Sequence, residues 1–234
     1  MDQNHQILQN IFIFSYYINW MINDEYKIKE ESFKKLKRGS FLNIVSLFLG
    51  IAFGIALSFV IISLVFSAIS SHLPPGSVES YILKRFYSDI YLIAPFIVVY
   101  IVLLSISVYS IYLYSKTVSL LSTFNNTLKG PAKFTKYLYI IVIATYIAII
   151  FEMLINFIII KNTPLFIIYM VLATVEFLLI LYLLIGIYRI GVIYDNRSLR
   201  LGAIFYLIPF LDMASPFLLY SGSKKLLEKN EIKS

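Results

Sequence analysis

Residues 41–70 read FLNIVSLFLGIAFGIALSFVIISLVFSAIS, from Phe41 to Ser70, and hold no charged side chain. A membrane-crossing helix needs only about 20 predominantly apolar residues, whereas apolar runs of about 10–14 are better read as soluble core helices. Similar stretches follow at Ile90–Ser115, Tyr137–Ile160, Leu165 to about Ile193 and Leu201–Tyr220. The expected fold is therefore all-α: a polytopic helical bundle of about five spans. Composition agrees. Hydrophobic residues make up 59% and charged residues 14%, against about 45–50% and 25% in soluble domains. The 19 Tyr and 19 Phe suit a bundle with aromatic belts, where a Tyr ring is buried while its hydroxyl stays wet.

Three parts follow along the chain: an N-terminal region at 1–40, a transmembrane domain at 41–222 and a polar tail at 223–234. Within the first, Ile7, Ile11, Phe14, Ile18 and Met21 recur at helical spacing, interrupted by Asn10, Ser15 and Asn19. Residues 6–22 are read as an interfacial amphipathic helix ending near Trp20; a short true span is the second path. Asp24–Arg38 is a charged helix whose last cations, Lys34, Lys35, Lys37 and Arg38, suit either a solvated face or anionic lipid headgroups. Pro74-Pro75-Gly76 is a turn, and Lys161-Asn162-Thr163-Pro164 makes a tight connection between the third and fourth spans.

The last segment is shorter, broken by Pro209 and Pro216 with Asp212 between them. Five full spans put the tail opposite the N-terminal region. The alternative is a segment that dips in and returns, which is tolerated where protein covers its free backbone groups. Of the 20 Lys and Arg, most fall in the N-terminal region and the 116–136 and 189–200 loops. The positive-inside rule places that side in the cytoplasm, and the expected location is the plasma membrane. A returning last segment sharpens the bias. The sequons Asn125-Asn126-Thr127 and Asn196-Arg197-Ser198 lie on the same cation-rich side and are taken as accidental.

Lys35-Leu36-Lys37-Arg38-Gly39-Ser40 runs straight into the first span. Further on come Ile185-Gly186-Ile187-Tyr188-Arg189-Ile190-Gly191, Asn196-Arg197-Ser198-Leu199-Arg200-Leu201-Gly202-Ala203-Ile204 and Ile208-Pro209-Phe210-Leu211. Together these segments resemble an archaeal family of multi-pass membrane proteins catalogued as domain of unknown function 973, over about Ser32 to Leu227. The resemblance implies a compact helical bundle in an archaeal plasma membrane and transfers no activity and no functional residues. It leads one to expect small apolar residues after Ile208-Pro209-Phe210-Leu211, where this chain has Asp212-Met213-Ala214-Ser215-Pro216.

The sharpest polar signals are Glu152 and Glu176, each deep inside a span, where a carboxylate costs about 2.5–3.5 kcal/mol on insertion scales. An antiparallel pairing across the tight turn would bring them within a turn of one another. Thr145, Glu152 and Asn156 share one helical face; Tyr169, Ala173 and Glu176 share another. Such a pair serves either as a proton or cation site, with at least one member protonated, or as hydrogen-bonding glue between helices. Asp212 either caps the last turn or pairs with Arg189 or Arg200. Ser46, Gly50, Gly54 and Ser58, each four apart, form a small-residue helix-packing face whose partner is the second span, another copy or a different subunit. Ser105, Tyr109 and Tyr112 read as packing and interface anchoring.

Several chemistries have no support. The chain has no cysteine and only two histidines, His5 and His72, neither in a span. No metal, haem or other cofactor is expected, and phosphate-cradling and nucleophile-elbow motifs are missing. No signal peptide and no soluble catalytic domain are expected either. The net charge of +7 is attributed to topology and lipid headgroups, not nucleic acid. The expectation is a non-enzymatic structural or accessory subunit, whose partners are lipids and other membrane subunits or further copies of itself. The alternative is a small proton- or cation-coupled transporter or channel using Glu152 and Glu176.

Overall fold

The computed structural model describes residues 3–70, 81, 90–158 and 163–231, with side chains described over 24–70, 81, 94–148, 167–168 and 170–230. Every regular element among them is helical. Helix α1 covers Gln3–Ser70, α2 Ile90–Leu121, α3 Lys129–Thr135, α4 Leu138–Ile158, α5 Thr163–Ile193, α6 Arg197–Phe205 and α7 Ser215–Glu231, with a 3₁₀ turn at Asn126–Leu128 ahead of α3.

The interfacial helix, charged helix and first span expected as separate pieces are one helix of 68 residues, roughly 100 Å long. Its charged stretch is held by i,i+4 pairs: Lys29 with Glu25, Lys34 with Glu30 and Lys35 with Glu31. Gly39 does not break it. That glycine is required by proximity: a Cβ there would lie 2.9 Å from the Tyr114 ring and 3.3 Å from the Ser110 carbonyl.

Helices α1 and α2 run antiparallel along a polar seam. Thr117 Oγ1 donates to the Ser32 carbonyl at 3.2 Å, Ser110 Oγ to the Gly39 carbonyl at 2.8 Å and the Tyr114 hydroxyl to Ser40 Oγ at 3.2 Å. Farther along, Ser46 Oγ and Ser107 Oγ approach to 3.4 Å and the Phe53 and Phe96 rings pack edge to face.

The buried core lies toward the charged end of the bundle, where it takes in the adjoining ends of the apolar runs and leaves the rest of those runs uncovered. Phe33 and Leu36 of α1 meet Val118 and Leu121 of α2, Leu128, Leu138 and Val142, Ile187 and Ile190 of α5, Leu199 of α6 and Leu219 of α7. Within 41–70 the one buried side chain is Ala68. The physical reason is the change of solvent. Apolar side chains among charges stand in water and must be covered by the chain itself. Those in a hydrocarbon layer are already among apolar neighbours, so no hydrophobic force draws them together. Tyr194 packs edge to face on Phe33 at 5.0 Å, and burial pushes its hydroxyl up to about 12.

The expected continuous span at Leu201–Tyr220 is not one helix. It is the end of α6, a run of turns from Tyr206 to Ala214 and the start of α7. Phe210, between the two prolines, has φ 70 and is 87% exposed at the tip. The nine residues of α6 reach roughly 14 Å, well short of a 30 Å hydrocarbon layer. The two helices fold back as an antiparallel hairpin: Ser215 Oγ donates to the Gly202 carbonyl at 2.7 Å. A Cβ on Gly202 would lie 2.7 Å from Leu219, and one on Gly222 would lie 2.8 Å from Leu199.

Helix α7 then returns alongside α1. Phe217 packs on Phe48, Tyr220 on Phe41, and the Tyr26 hydroxyl donates to the Asn230 carbonyl at 3.2 Å. The tail therefore lies beside the N-terminal charged stretch, as the returning path anticipated.

Candidate functional site

The place where polar groups from three elements converge is a cleft of about 420 Å³ between α1, α2 and the α6–α7 hairpin. Asn43, Ser46 and Gly50 line it from α1, Ser107 from α2, and Tyr206, Asp212 and Pro216 from the hairpin. Gly50 leaves room: nothing lies within 4 Å of where its Cβ would be. Asn43 is oriented by donating its amide to the Tyr114 hydroxyl at 3.2 Å. The turns set Asp212, whose N–H donates to the Ile208 carbonyl at 3.0 Å and whose carbonyl accepts from Ser215 N–H at 3.1 Å.

Tyr206 lines the cleft beside Asp212, and on the neighbouring helices the Tyr146 ring packs on Tyr100 with centroids 6.4 Å apart. Of the sequence-read carboxylates, Asp212 lines this cleft and Glu176 does not. Glu152 and Asn156 stand on α4, and their side chains lie outside the described residues, as does that of Tyr169. The expected approach of Glu152 to Glu176 therefore lies outside the described residues.

Asp212 pairs with neither arginine proposed for it. Arg189 donates to the Thr127 carbonyl, and Arg200 lies 3.4 Å from Asp195. Its carboxylate, exposed beside the cleft, has no partner among the described residues.

The small-residue face divides. Ser46 meets Ser107 of α2, while Gly50 and Gly54 have nothing within 4 Å of their Cβ positions and Ser58 bonds back to the Gly54 carbonyl at 2.8 Å. Gly54 and Ser58 border an open groove of about 320 Å³ with Ile55, Phe59 and Ile62. Tyr109 and Tyr112 stack on each other, Tyr112 packs on Tyr139, and Arg38 lies over the Tyr109 ring at 5.6 Å, all packing roles.

Sequence reasoning missed Tyr206, Asn43 and Ser107. Asn43 had a signal, since it is the one amide side chain within 41–70; Ser107 and Tyr206 are ordinary residues in apolar runs. It also missed what the sequons do. Asn125 accepts from Thr127 N–H at 2.9 Å. Asn196, 6% exposed, caps α6 by accepting from Leu199 N–H at 3.2 Å and donates to the Gly222 carbonyl at 2.8 Å. Among the described residues no three of His, Cys, Asp and Glu stand close enough to hold a metal ion.

Fold and cleft together define an all-helical protein in which three helices, among the described residues, are long and apolar enough to cross a membrane. The chain belongs to the family described as Protein of unknown function (DUF973), whose model matches residues 30–234. No curated protein and no solved structure matches it.

Proposed function

We propose that the chain is a non-enzymatic structural or accessory subunit of a membrane assembly, in the plasma membrane with its charged end in the cytoplasm. On this reading four segments cross, at 41–70, 90–115, 137–160 and 165–193, and the α6–α7 hairpin re-enters from the cytoplasmic side. Of the 20 Lys and Arg, 17 then fall on that side and Lys84, Arg85 and Lys161 on the other, the distribution the positive-inside rule favours.

The observation that supports an assembly role is the open space at Gly50 and Gly54. Glycine inside a helix costs about 1 kcal/mol relative to alanine, and among the described residues no close contact at either position offsets it. A second helix, from another copy or another subunit, would use that space. Purification in mild detergent should give an oligomer or retain a second membrane protein, and G50L/G54L should dissociate it. A monomer without a partner in several mild detergents counts against the reading.

The second reading is a small proton- or cation-coupled transporter or channel using Glu152 and Glu176. It is favoured by the carboxylate of Asp212 beside an open polar cleft lined by Asn43, Ser46, Ser107 and Tyr206. In proteoliposomes it requires pH-dependent flux that E152Q or E176Q abolishes. Flux indifferent to both changes removes its basis.

A further inference from the structure

We propose that the groove between α1 and α7 at the charged end binds the phosphate headgroup of one anionic phospholipid, with its acyl chains lying against the aromatic wall below. A cleft of about 470 Å³ opens there, within the roughly 300–1,000 Å³ of ligand clefts. Its rim carries Lys37 and Arg38 from α1 and Lys224 from α7, and its floor is Phe41, Tyr220 and Leu227.

The two α1 cations are distinctive. Lys34 is paired with Glu30 and Lys35 with Glu31, whereas Lys37 and Arg38 have no carboxylate partner among the described residues. Each rests on a tyrosine face: Lys37 over Tyr220 at 5.7 Å and Arg38 over Tyr109 at 5.6 Å. Aromatic faces hold the cations in place without neutralising them, so their charge remains available to an anion. Lys224 adds a third, only loosely balanced by Glu228 at 3.8 Å.

Depth selects the source of the anion. Arg38 is the last charged residue before the uncharged 41–70 run, which puts the rim at headgroup level. Directly below, Phe41 meets Tyr220 and Phe48 meets Phe217, each at 6.3 Å. This wall descends two turns of α1 into the apolar layer and leaves Phe41, Phe48 and Phe217 exposed toward it. A free phosphate would use the cations and leave that wall idle; a phospholipid uses both. The inference rests on the chain being membrane-embedded with its charged end at the headgroups, and not on its assembly role.

The test uses the full chain in nanodiscs of phosphatidylcholine with increasing phosphatidylglycerol, with lipid retained after transfer to detergent read by native mass spectrometry. Wild type should retain phosphatidylglycerol preferentially. Each cation removed should lower that retention about fivefold, so K37Q/R38Q should lose it and K224Q, at an exposed position that does not threaten the fold, should lose part of it. K129Q/K133Q, cations at the same end but away from the groove, should match wild type.

Equal loss in the groove and control variants would show general surface charge and overturn the proposal. So would wild type with no preference for phosphatidylglycerol. Displacement of the lipid by millimolar inorganic phosphate would assign the cations to a free anion and overturn the lipid assignment. The oligomer measured in the same spectra reports the assembly reading separately.

Discussion

Replacing Asn196 by Ala should unlock the joint that turns the chain from α5 into the hairpin. The side chain is buried and serves two buried groups: it caps α6 through Leu199 N–H and donates to the Gly222 carbonyl. Losing an N-cap costs about 1 kcal/mol. The Gly222 carbonyl keeps its backbone donor within α7, so losing the Asn196 amide there costs only the net value of one hydrogen bond, about 0.5–1.5 kcal/mol. The site cannot relax easily, because Leu199 already crowds Gly222, where an added Cβ would stand 2.8 Å from it. The expected total is about 1.5–2.5 kcal/mol, or a fall in melting temperature of roughly 3–10 °C for a chain of this size. N196S keeps the capping oxygen and should recover only the cap's share, about 1 kcal/mol. N125A removes a comparable cap at an exposed turn and should cost at most about 1 kcal/mol. The assay is thermal unfolding in detergent followed by light scattering or intrinsic fluorescence. If N196A melts with N125A, within a degree or two, the joint is not held as described.

Three further outcomes follow from the same geometry. G202V should push α6 from α7, since even a Cβ would sit 2.7 Å from Leu219 and 3.2 Å from its backbone nitrogen; limited proteolysis should then cut between Tyr206 and Ala214 faster than in wild type. L36A, in the water-facing core, should cost about 2–5 kcal/mol, whereas F59A, exposed along the apolar half, should stay within about 0.5 kcal/mol of wild type in lipid; equal losses would contradict the placement of the core. D212N removes a carboxylate without a described partner and should leave thermal stability unchanged or raised, and a clear loss would show that Asp212 has a partner there.

The uncharged run at 41–70 sufficed to read a helix long and apolar enough to cross a membrane, because apolar length is a property of the sequence alone. The ends of the helices were harder. Gly39-Ser40 looked like a boundary between a charged helix and a span, yet Gly39 stays helical because the Tyr114 ring needs its missing side chain, a contact 75 residues away in sequence. Pro209 and Pro216 carried the information that the last segment breaks, and the weight given to its apolar length was misplaced. The turn itself, with Phe210 at positive φ, brings the tail back beside α1. Of the two roles the sequence offers Asp212, a turn cap or a pairing with Arg189 or Arg200, the pairing is not formed, because Thr127 and Asp195 engage those arginines, which nothing in the sequence shows. The site was legible only in part. A carboxylate in an apolar run stands out from sequence, so Asp212 at the cleft was legible; Tyr206 beside it is one of 19 tyrosines and is distinguished only by position.

The central claim is that the last segment folds back and leaves the tail beside the N-terminal charged stretch. The chain has no cysteine, so single cysteines can be placed at Lys27, Ser77 and Lys225 and probed in sealed vesicles with a membrane-impermeant maleimide. The account predicts that K27C and K225C are labelled from the same side, the cytoplasmic one, and S77C from the other. Labelling of K27C and K225C from opposite sides would contradict it.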